Sequence, residues 1–547
     1  MVWNGGQCPA CGEDMPKGMV HCRYCHAILD LDAPSTKPGP EDSSGSQVVG
    51  GSVPIPPAAK EPSRRRPKLR AATNEELAPE QRAPLSRNFY PALLSKAKFN
   101  HTAARLITLL VVLLLLCPLL VSGPVPGADS PVSLTWPMVH SGDEPHYLVL
   151  INSLISDGDL DVSNNYRNVH QGGNDAGRKF AGWALDHHVA WSWQGNCVHW
   201  WEVYEFDGTR WHRDAEGHPV PTLRDDARFR PATTNEYSMH SPGLAILLAP
   251  LALPFRGTPF VESMALIATA GCTIAGMFAF MMLIRPYLEN SLHAVLIGGV
   301  AYLGAPLWHY GRTLYVEPYA ATLIICAYAQ FLRQDRFLLT GFLIGIAVLL
   351  KMTFVIFLVP ILIDTMWQRR WAELARFAAP IVISLGIIGL WNVQMRDGWL
   401  HGSLKWEWGH PIGGILGLLL SPQHGILLVA PILVGVLWCA RPWFKYHPRD
   451  AVIISSAIVL FWGAMGSYSQ WWGGTCYSAR YLVPVLPLLF VPLAMLASGK
   501  VEISRHVRTV VSILIVFSLV FGGIAAFACE HVWGKHPLQL LAEGGLT

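Results

Sequence analysis

Charged side chains are scarce in this chain. Asp, Glu, Lys and Arg make up 14% of its 547 residues, against roughly 25% in soluble proteins. An ordinary soluble globular fold is thereby excluded. Neither sign of charge dominates: 41 Lys and Arg face 38 Asp and Glu, a formal net charge of +3. That balance says little about partners, because in a membrane protein the placement of Lys and Arg counts for more than their sum. The start of the chain also lacks a signal-peptide pattern, since its first apolar run opens near Ala103. No internal repeat is visible. What the sequence has in quantity is apolar surface: 51% of residues are hydrophobic and 21 are Trp. This is the composition of a polytopic membrane protein.

Cysteine is concentrated at one end. The stretch CPACGEDMPKGMVHCRYC places Cys8, Cys11, Cys22 and Cys25 as two CxxC pairs. Each pair can form a tight knuckle, and two knuckles close a tetrahedral four-thiolate site. Such a site suits structural Zn2+ and leaves no open position for catalysis. Residues 1–32 therefore read as a zinc-ribbon module, the alternative being a reduced, unstructured tail. His21 and His26 adjoin the knuckles but are not needed as ligands. Thiolate zinc belongs in a reducing compartment, so this end is expected to be cytosolic. The other seven cysteines are scattered, and most lie in apolar runs where Cys behaves as a small hydrophobe. Cys197 and Cys476 fall on the expected outer side, where a disulfide between them is conceivable. Residues 33–62 are rich in Pro, Gly and Ser without apolar periodicity and read as a disordered linker. The linker and juxtamembrane segment extend to about residue 100, with RRRPKLR at 64–70 ahead of the first apolar run. That cluster fits a positive-inside anchor to anionic lipid better than a nucleic-acid contact, and no nucleic-acid partner is expected.

The segment 104–123 is long enough to span the bilayer as a helix. With Arg64–Arg70 inside, residues 124–240 form a large external loop. Charged hinges then fix the later turns. Arg285, RQDR (333–336), QRRW (368–371), RPWFKYHPR (441–449) and SGKVEISRHVR (498–508) fall inside. WHYGRTLYVEP (308–318), RDGWLHGSLKWEWGHP (396–411) and SYSQWWGGTCYSAR (467–480) fall outside. SPGLAILLAPLALPF, short and broken by prolines, reads as an interfacial or re-entrant helix. A tight outward turn at Lys351 is needed to divide 336–366 into two helices. About eleven spans result, placing the N-terminus in the cytosol and the C-terminus outside.

In the external loop, SGDEPHYL places Asp143 and Glu144 just ahead of HYLVLINSLISDG (146–158), whose apolar spacing predicts a juxtamembrane helix. WWEVYEFDGTRWHRDAEGHPV carries β-rich runs around an Asp-Gly pair, a hairpin signal. Asp157, Asp159 and Asp161 lack the glycine and terminal glutamate of an EF-hand, and read as a turn with capping carboxylates.

An acidic pair in the first external loop, before a juxtamembrane helix, resembles the GT-C superfamily of membrane glycosyltransferases. The resemblance is to the protein O-mannosyltransferase and aminoarabinose-transferase branch in particular. NEYSMHSPGLAILLAP (235–250), with His240 where a lysine is common, is similar to the family segment preceding an interfacial helix. GRTLYVEPYAA (311–321) resembles the second external loop, with Arg312 and Glu317. GLLLSPQHGILLVAPIL (417–433) and YSARYLVPVLPLL (477–489) resemble late-span motifs. The order and sidedness of these stretches carry the resemblance, which covers roughly residues 100–500. It implies an α-helical polytopic fold over 101–547, with juxtamembrane helices and a small β element in the loop. It also implies an enzyme that moves a hexose or pentose from a polyprenyl-phosphate donor to an acceptor outside the cytoplasm, in an inner or plasma membrane. Sugar and acceptor stay open, as does a divalent metal at the catalytic site.

The chemistry can be argued from the residues. Attack of an acceptor hydroxyl on the anomeric carbon needs a carboxylate to take its proton. The leaving group is already a phosphate and needs only cations to hold its charge. Asp143 is the expected base, with Glu144 shaping the site. His240, Arg312, Lys405 and Arg480 are the expected phosphate-side groups, with Glu317 and Tyr481 beside them. The bland readings stand next to these: acidic residues favour helix N-termini, and an arginine at a span end can be a mere interfacial anchor. Two other functions remain open. A transporter or flippase would carry ionisable groups at mid-membrane and show repeats. A scaffold or sensor would signal through the zinc ribbon, whose expected role here is docking a cytosolic protein partner.

Overall fold

The computed structural model describes residues 6–7, 14–15, 98–122, 133–134, 139, 143–162, 203–206, 235–238, 240–258, 260–396, 407–474, 476–501, 504–527 and 535–542. Cys8, Cys11, Cys22 and Cys25, the segment 33–62 expected as a linker, Cys197 and Lys405 lie outside these residues. The chain divides into two units, Met1–Pro84 and Leu85–Thr547. In the first, Gly6–Gln7 pairs antiparallel with Asp14–Met15, bracketing Cys8 and Cys11 in sequence.

The second unit is a multi-pass helical membrane body. Its helices are α1 (Lys98–Leu116), α2 (Glu144–Asn152), α3 (Gly243–Ala252), α4 (Phe260–Ile284), α5 (Ser291–Leu303), α6 (Val316–Gln334) and α7 (Phe337–Leu350). They continue with α8 (Leu358–Trp367), α9 (Trp371–Arg396), α10 (Pro411–Leu420), α11 (Leu433–Tyr446), α12 (Pro448–Gly466) and α13 (Arg505–Phe527). Among the described residues, six helical segments are long and apolar enough to cross a membrane. They are Thr102–Leu120, Phe260–Tyr287, Trp371–Val393, Pro448–Gly466, Arg480–Ala497 and Arg505–Phe527. Shorter apolar helices are Gly243–Phe255, Ser291–Leu303, Phe337–Leu350, Met352–Trp367 and Pro411–Leu420. The expected division at Lys351 is there: the residue is extended (φ −159°, ψ 123°) between α7 and a 3-10 turn, Met352–Phe357.

Small residues let these helices approach closely, the packing device available where lipid supplies no hydrophobic drive. Gly341 lies against the backbone of α9, and an added methyl would collide with the Phe377 carbonyl oxygen. One turn on, Gly345 faces Ser384 and the Pro380 carbonyl. Gly341→Ala is therefore expected to cost about 1–3 kcal/mol, the range for overpacking a tight interior. Thermal unfolding in detergent would show it, and an unshifted midpoint would mean that the α7–α9 seam yields. Between α4 and α6 the Thr269 and Tyr319 hydroxyls hydrogen-bond at 2.8 Å.

The hinges expected on one side do meet. Arg333 pairs with Asp450 at 2.7 Å, Arg449 with Asp364 at 2.8 Å and Arg370 with Asp335 at 2.9 Å. Arg333 and Glu317 stand at opposite ends of α6, separated by roughly 24 Å of helix rise. Charge thus gathers at both ends of this helix, leaving an apolar belt between.

The segment expected as an external loop, residues 124–240, departs from its sequence reading in one respect. Val203–Phe206 does form a strand, but its described partner is Asn235–Ser238, antiparallel with Val203 opposite Ser238. The run that follows Asp207-Gly208 lies outside the described residues. At Asp159 the turn reading fits, since its carboxylate accepts from the Ser153 hydroxyl and the Asp161 amide.

Candidate active site

The acidic pair opens α2, and its two members do different things. Glu144 is fully buried, and its Oε1 accepts the Leu314 backbone amide at 2.7 Å. It ties the start of α2 to the loop ahead of α6, a structural task that fits shaping the site and not proton transfer. Asp143 is the partly exposed member, and its side chain caps none of the amides of α2. Asp143 thus holds the N-cap position and Glu144 the first turn of α2, without a side-chain capping hydrogen bond from Asp143. Its Oδ2 instead accepts from Arg480 Nη1 at 3.1 Å.

Arg480 begins the segment Arg480–Ala497, following a tight loop in which Ser478 is left-handed (φ 52°). Its side chain is 8% exposed. The guanidinium lies against two aromatic rings, 4.9 Å from the Tyr315 centroid and 5.3 Å from that of Tyr481. Contacts of this kind stabilise a cation while excluding water. Its Nε is 3.7 Å from Glu317 Oε1 and has no hydrogen-bond partner. The second Glu317 oxygen also lacks one.

Lys351 completes the cluster. Its Nζ stands 3.9 Å from Glu317 Oε1 and 4.7 Å from the Tyr481 centroid. Sequence reasoning took this residue only as a break in an apolar run. A lone lysine within a long apolar stretch was the available signal, since such residues are costly unless they face a partner or a cavity. Tyr315 and His146 were missed as well, and nothing in their local sequence marked them.

The break at Lys351 is fastened to the segment carrying His240. The Ser241 hydroxyl donates to the Leu349 carbonyl at 2.6 Å, satisfying one of the acceptors left free at the end of α7. Gly243 lies so close that a side chain there would strike the same carbonyl. His240 in turn stacks on His146 with centroids 5.5 Å apart and lies 5.0 Å from the Tyr147 ring. Trp408 and Tyr468 form an isolated antiparallel bridge, and the Tyr468 ring lies 6.1 Å from that of Tyr481. The loops before α10 and after α12 thus reach the edge of the cluster.

Of the residues expected at the site, Asp143, His240, Glu317, Arg480 and Tyr481 come together. Arg312 turns elsewhere. It is buried, and its Nη1 donates to the Ala526 carbonyl at 3.2 Å, near the C-terminus of α13. A cation is favoured at that end of a helix dipole, so this contact helps to hold α13. Cys476 is a buried free thiol, and Cys197, its conceivable disulfide partner, lies outside the described residues.

Burial alone would raise the Asp143 pKa. The nearby cations, Arg480 first and then His240, Lys351 and His146, outweigh it and hold the carboxyl at about 2 instead of 3.8. Arg480 stands between Asp143 and Glu317. Among the described residues no three His, Cys, Asp or Glu side chains gather as a ligand set.

No protein-family model matches the chain, and no curated protein sequence does either. Among solved structures it is similar to ArnT from Cupriavidus metallidurans bound to undecaprenyl phosphate. The TM-score there is 0.48 at 13% identity, over 81% of this chain and 79% of that one. The apo form of ArnT gives 0.47 at 13%, over 79% and 77%. The Archaeoglobus fulgidus oligosaccharyltransferase in its apo form gives 0.44 at 10%, over 80% of this chain and 57% of that one.

Proposed function

We propose that the chain is a glycosyltransferase that takes a sugar from a polyprenyl-phosphate carrier and passes it to an acceptor hydroxyl on the extracytoplasmic face of the membrane. One observation carries the reading: a partly exposed carboxylate, Asp143, beside two cations, Arg480 and Lys351, at the end of the membrane body. The chemistry needs these groups together. The carboxylate takes the acceptor's proton, and the cations hold the charge of the departing phosphate. The polyprenyl chain is lodged in the bilayer, so its phosphate arrives at the level where a span-end arginine sits. Glu317 holds Lys351 and Arg480 at a common distance. The sidedness follows the hinge scheme, with about eleven spans and the charged hinges at 333–336, 368–371 and 441–449 in the cytosol. Cys8, Cys11, Cys22 and Cys25 would then hold zinc on that side as a docking module.

Membranes carrying the protein should release polyprenyl phosphate from a labelled polyprenyl-phosphate sugar. A panel of hexose and pentose donors would identify the sugar. Retention of the label on every donor offered would reject the reading. Cysteines introduced at 400–410 should react with an impermeant maleimide in intact cells, and those at 441–449 should not. Labelling of 441–449 from outside would reverse the proposed face.

A further inference from the structure

We propose that Arg480 holds Asp143 as a latch, and that the donor's phosphate opens it by taking Asp143's place on the guanidinium. This rests on the polyprenyl-phosphate reading and concerns how the same site is switched on.

The geometry decides which member of the pair moves. Arg480 is pinned: Tyr315 and Tyr481 lie against it, Glu317 stands at 3.7 Å, and little of its side chain is exposed. Glu317 is 2% exposed and cannot leave without abandoning a buried cation. Asp143 is 27% exposed, and the pair with Arg480 is the one ion pair described for it. Its side chain makes no capping bond to α2, so its departure leaves the helix start intact. A phosphate oxygen offers the same charge-assisted contact to a guanidinium as a carboxylate oxygen. Lys351, 18% exposed and sharing Glu317 with Arg480, supplies a second positive group to a phosphate.

The consequence is a base that works only when there is something to transfer. Paired with Arg480, Asp143 is a weak proton acceptor, since its affinity for a proton is held far below the working range of a general base. Displaced, the same carboxylate faces a phosphate in place of a cation, and its proton affinity rises. The acceptor oxygen then bonds to the anomeric carbon while its proton passes to Asp143. The bond from that carbon to the phosphate oxygen breaks, with its electron pair remaining on the phosphate. When the product lipid leaves, Asp143 gives its proton to water and returns to Arg480. Water meeting the empty site meets no free base.

The test is binding, not turnover. Undecaprenyl phosphate is titrated into the purified full-length protein in detergent and occupancy is read by native mass spectrometry. Asp143→Asn and Asp143→Ala are each expected to tighten binding by up to roughly fivefold, the size of releasing a partly exposed ion pair. Asp143→Glu keeps the competing carboxylate and should bind as wild type does. Arg480→Lys should bind more weakly. Unchanged or weaker binding by both Asp143→Asn and Asp143→Ala, with wild type binding normally, would overturn the latch and leave the donor reading standing. Failure of wild type to bind the lipid at all would overturn the donor reading, and the latch with it.

Discussion

Asp143→Asn should lower the rate of sugar transfer at least ~100-fold, the lower range for loss of a general base, while the protein stays folded. The substitution keeps the shape of the side chain and removes its charge. The folding cost is small because the carboxylate is partly exposed and caps nothing; losing such an ion pair is worth about 1 kcal/mol or less. Initial rates in membranes with a labelled polyprenyl-phosphate sugar would give the first quantity, and thermal unfolding in detergent the second. Wild-type turnover by the variant would remove Asp143 from the base role. The pH dependence of stability has a definite sign. The folded pKa lies below the unfolded value, so the pair's contribution is fully present above 3.8 and is lost as pH falls through about 2. The stability gap between wild type and Asp143→Asn should therefore be flat at neutral pH and close only in strong acid.

Arg480→Ala should be the most damaging single change to both folding and donor binding. It leaves Glu317 buried with only Lys351, 3.9 Å away, to balance its charge. Removing one partner of a buried pair costs roughly 3–5 kcal/mol, and the remaining lysine places the expected loss toward the lower end. Donor affinity should fall about 10- to 100-fold, as a charge-assisted bond to the phosphate is worth roughly 1.5–3 kcal/mol. Arg480→Lys restores the charge but neither the planar fork nor its stacking on Tyr315 and Tyr481, so it should recover stability more than binding. Melting midpoints and lipid titration separate the two effects. An Arg480→Ala protein that melts normally and binds undecaprenyl phosphate as wild type does would exclude Arg480 from the donor site.

Composition and the apolar runs determined by themselves that this is a multi-pass membrane protein, because hydropathy is a local property that the bilayer reads segment by segment. The helix after Asp143, the break at Lys351 and the charged hinges carrying Arg333, Asp335, Arg370 and Arg449 were legible for the same reason; the partners Asp450 and Asp364 were not. Only the tertiary structure decided which distant residues share the site. Asp143 and Arg480 are 337 positions apart in sequence, yet the Arg480 guanidinium bonds the Asp143 carboxylate. Glu144, adjacent to Asp143, turns inward to Leu314 because the helix places successive side chains about 100° apart. Arg312 and Glu317 stand five residues apart in sequence yet meet different partners, one the Ala526 carbonyl and the other Arg480 and Lys351. Pattern along the chain carries no information about such choices. They follow from which helices can approach closely, as at Gly341 and Gly243, and from the cost of leaving a buried charge without a partner.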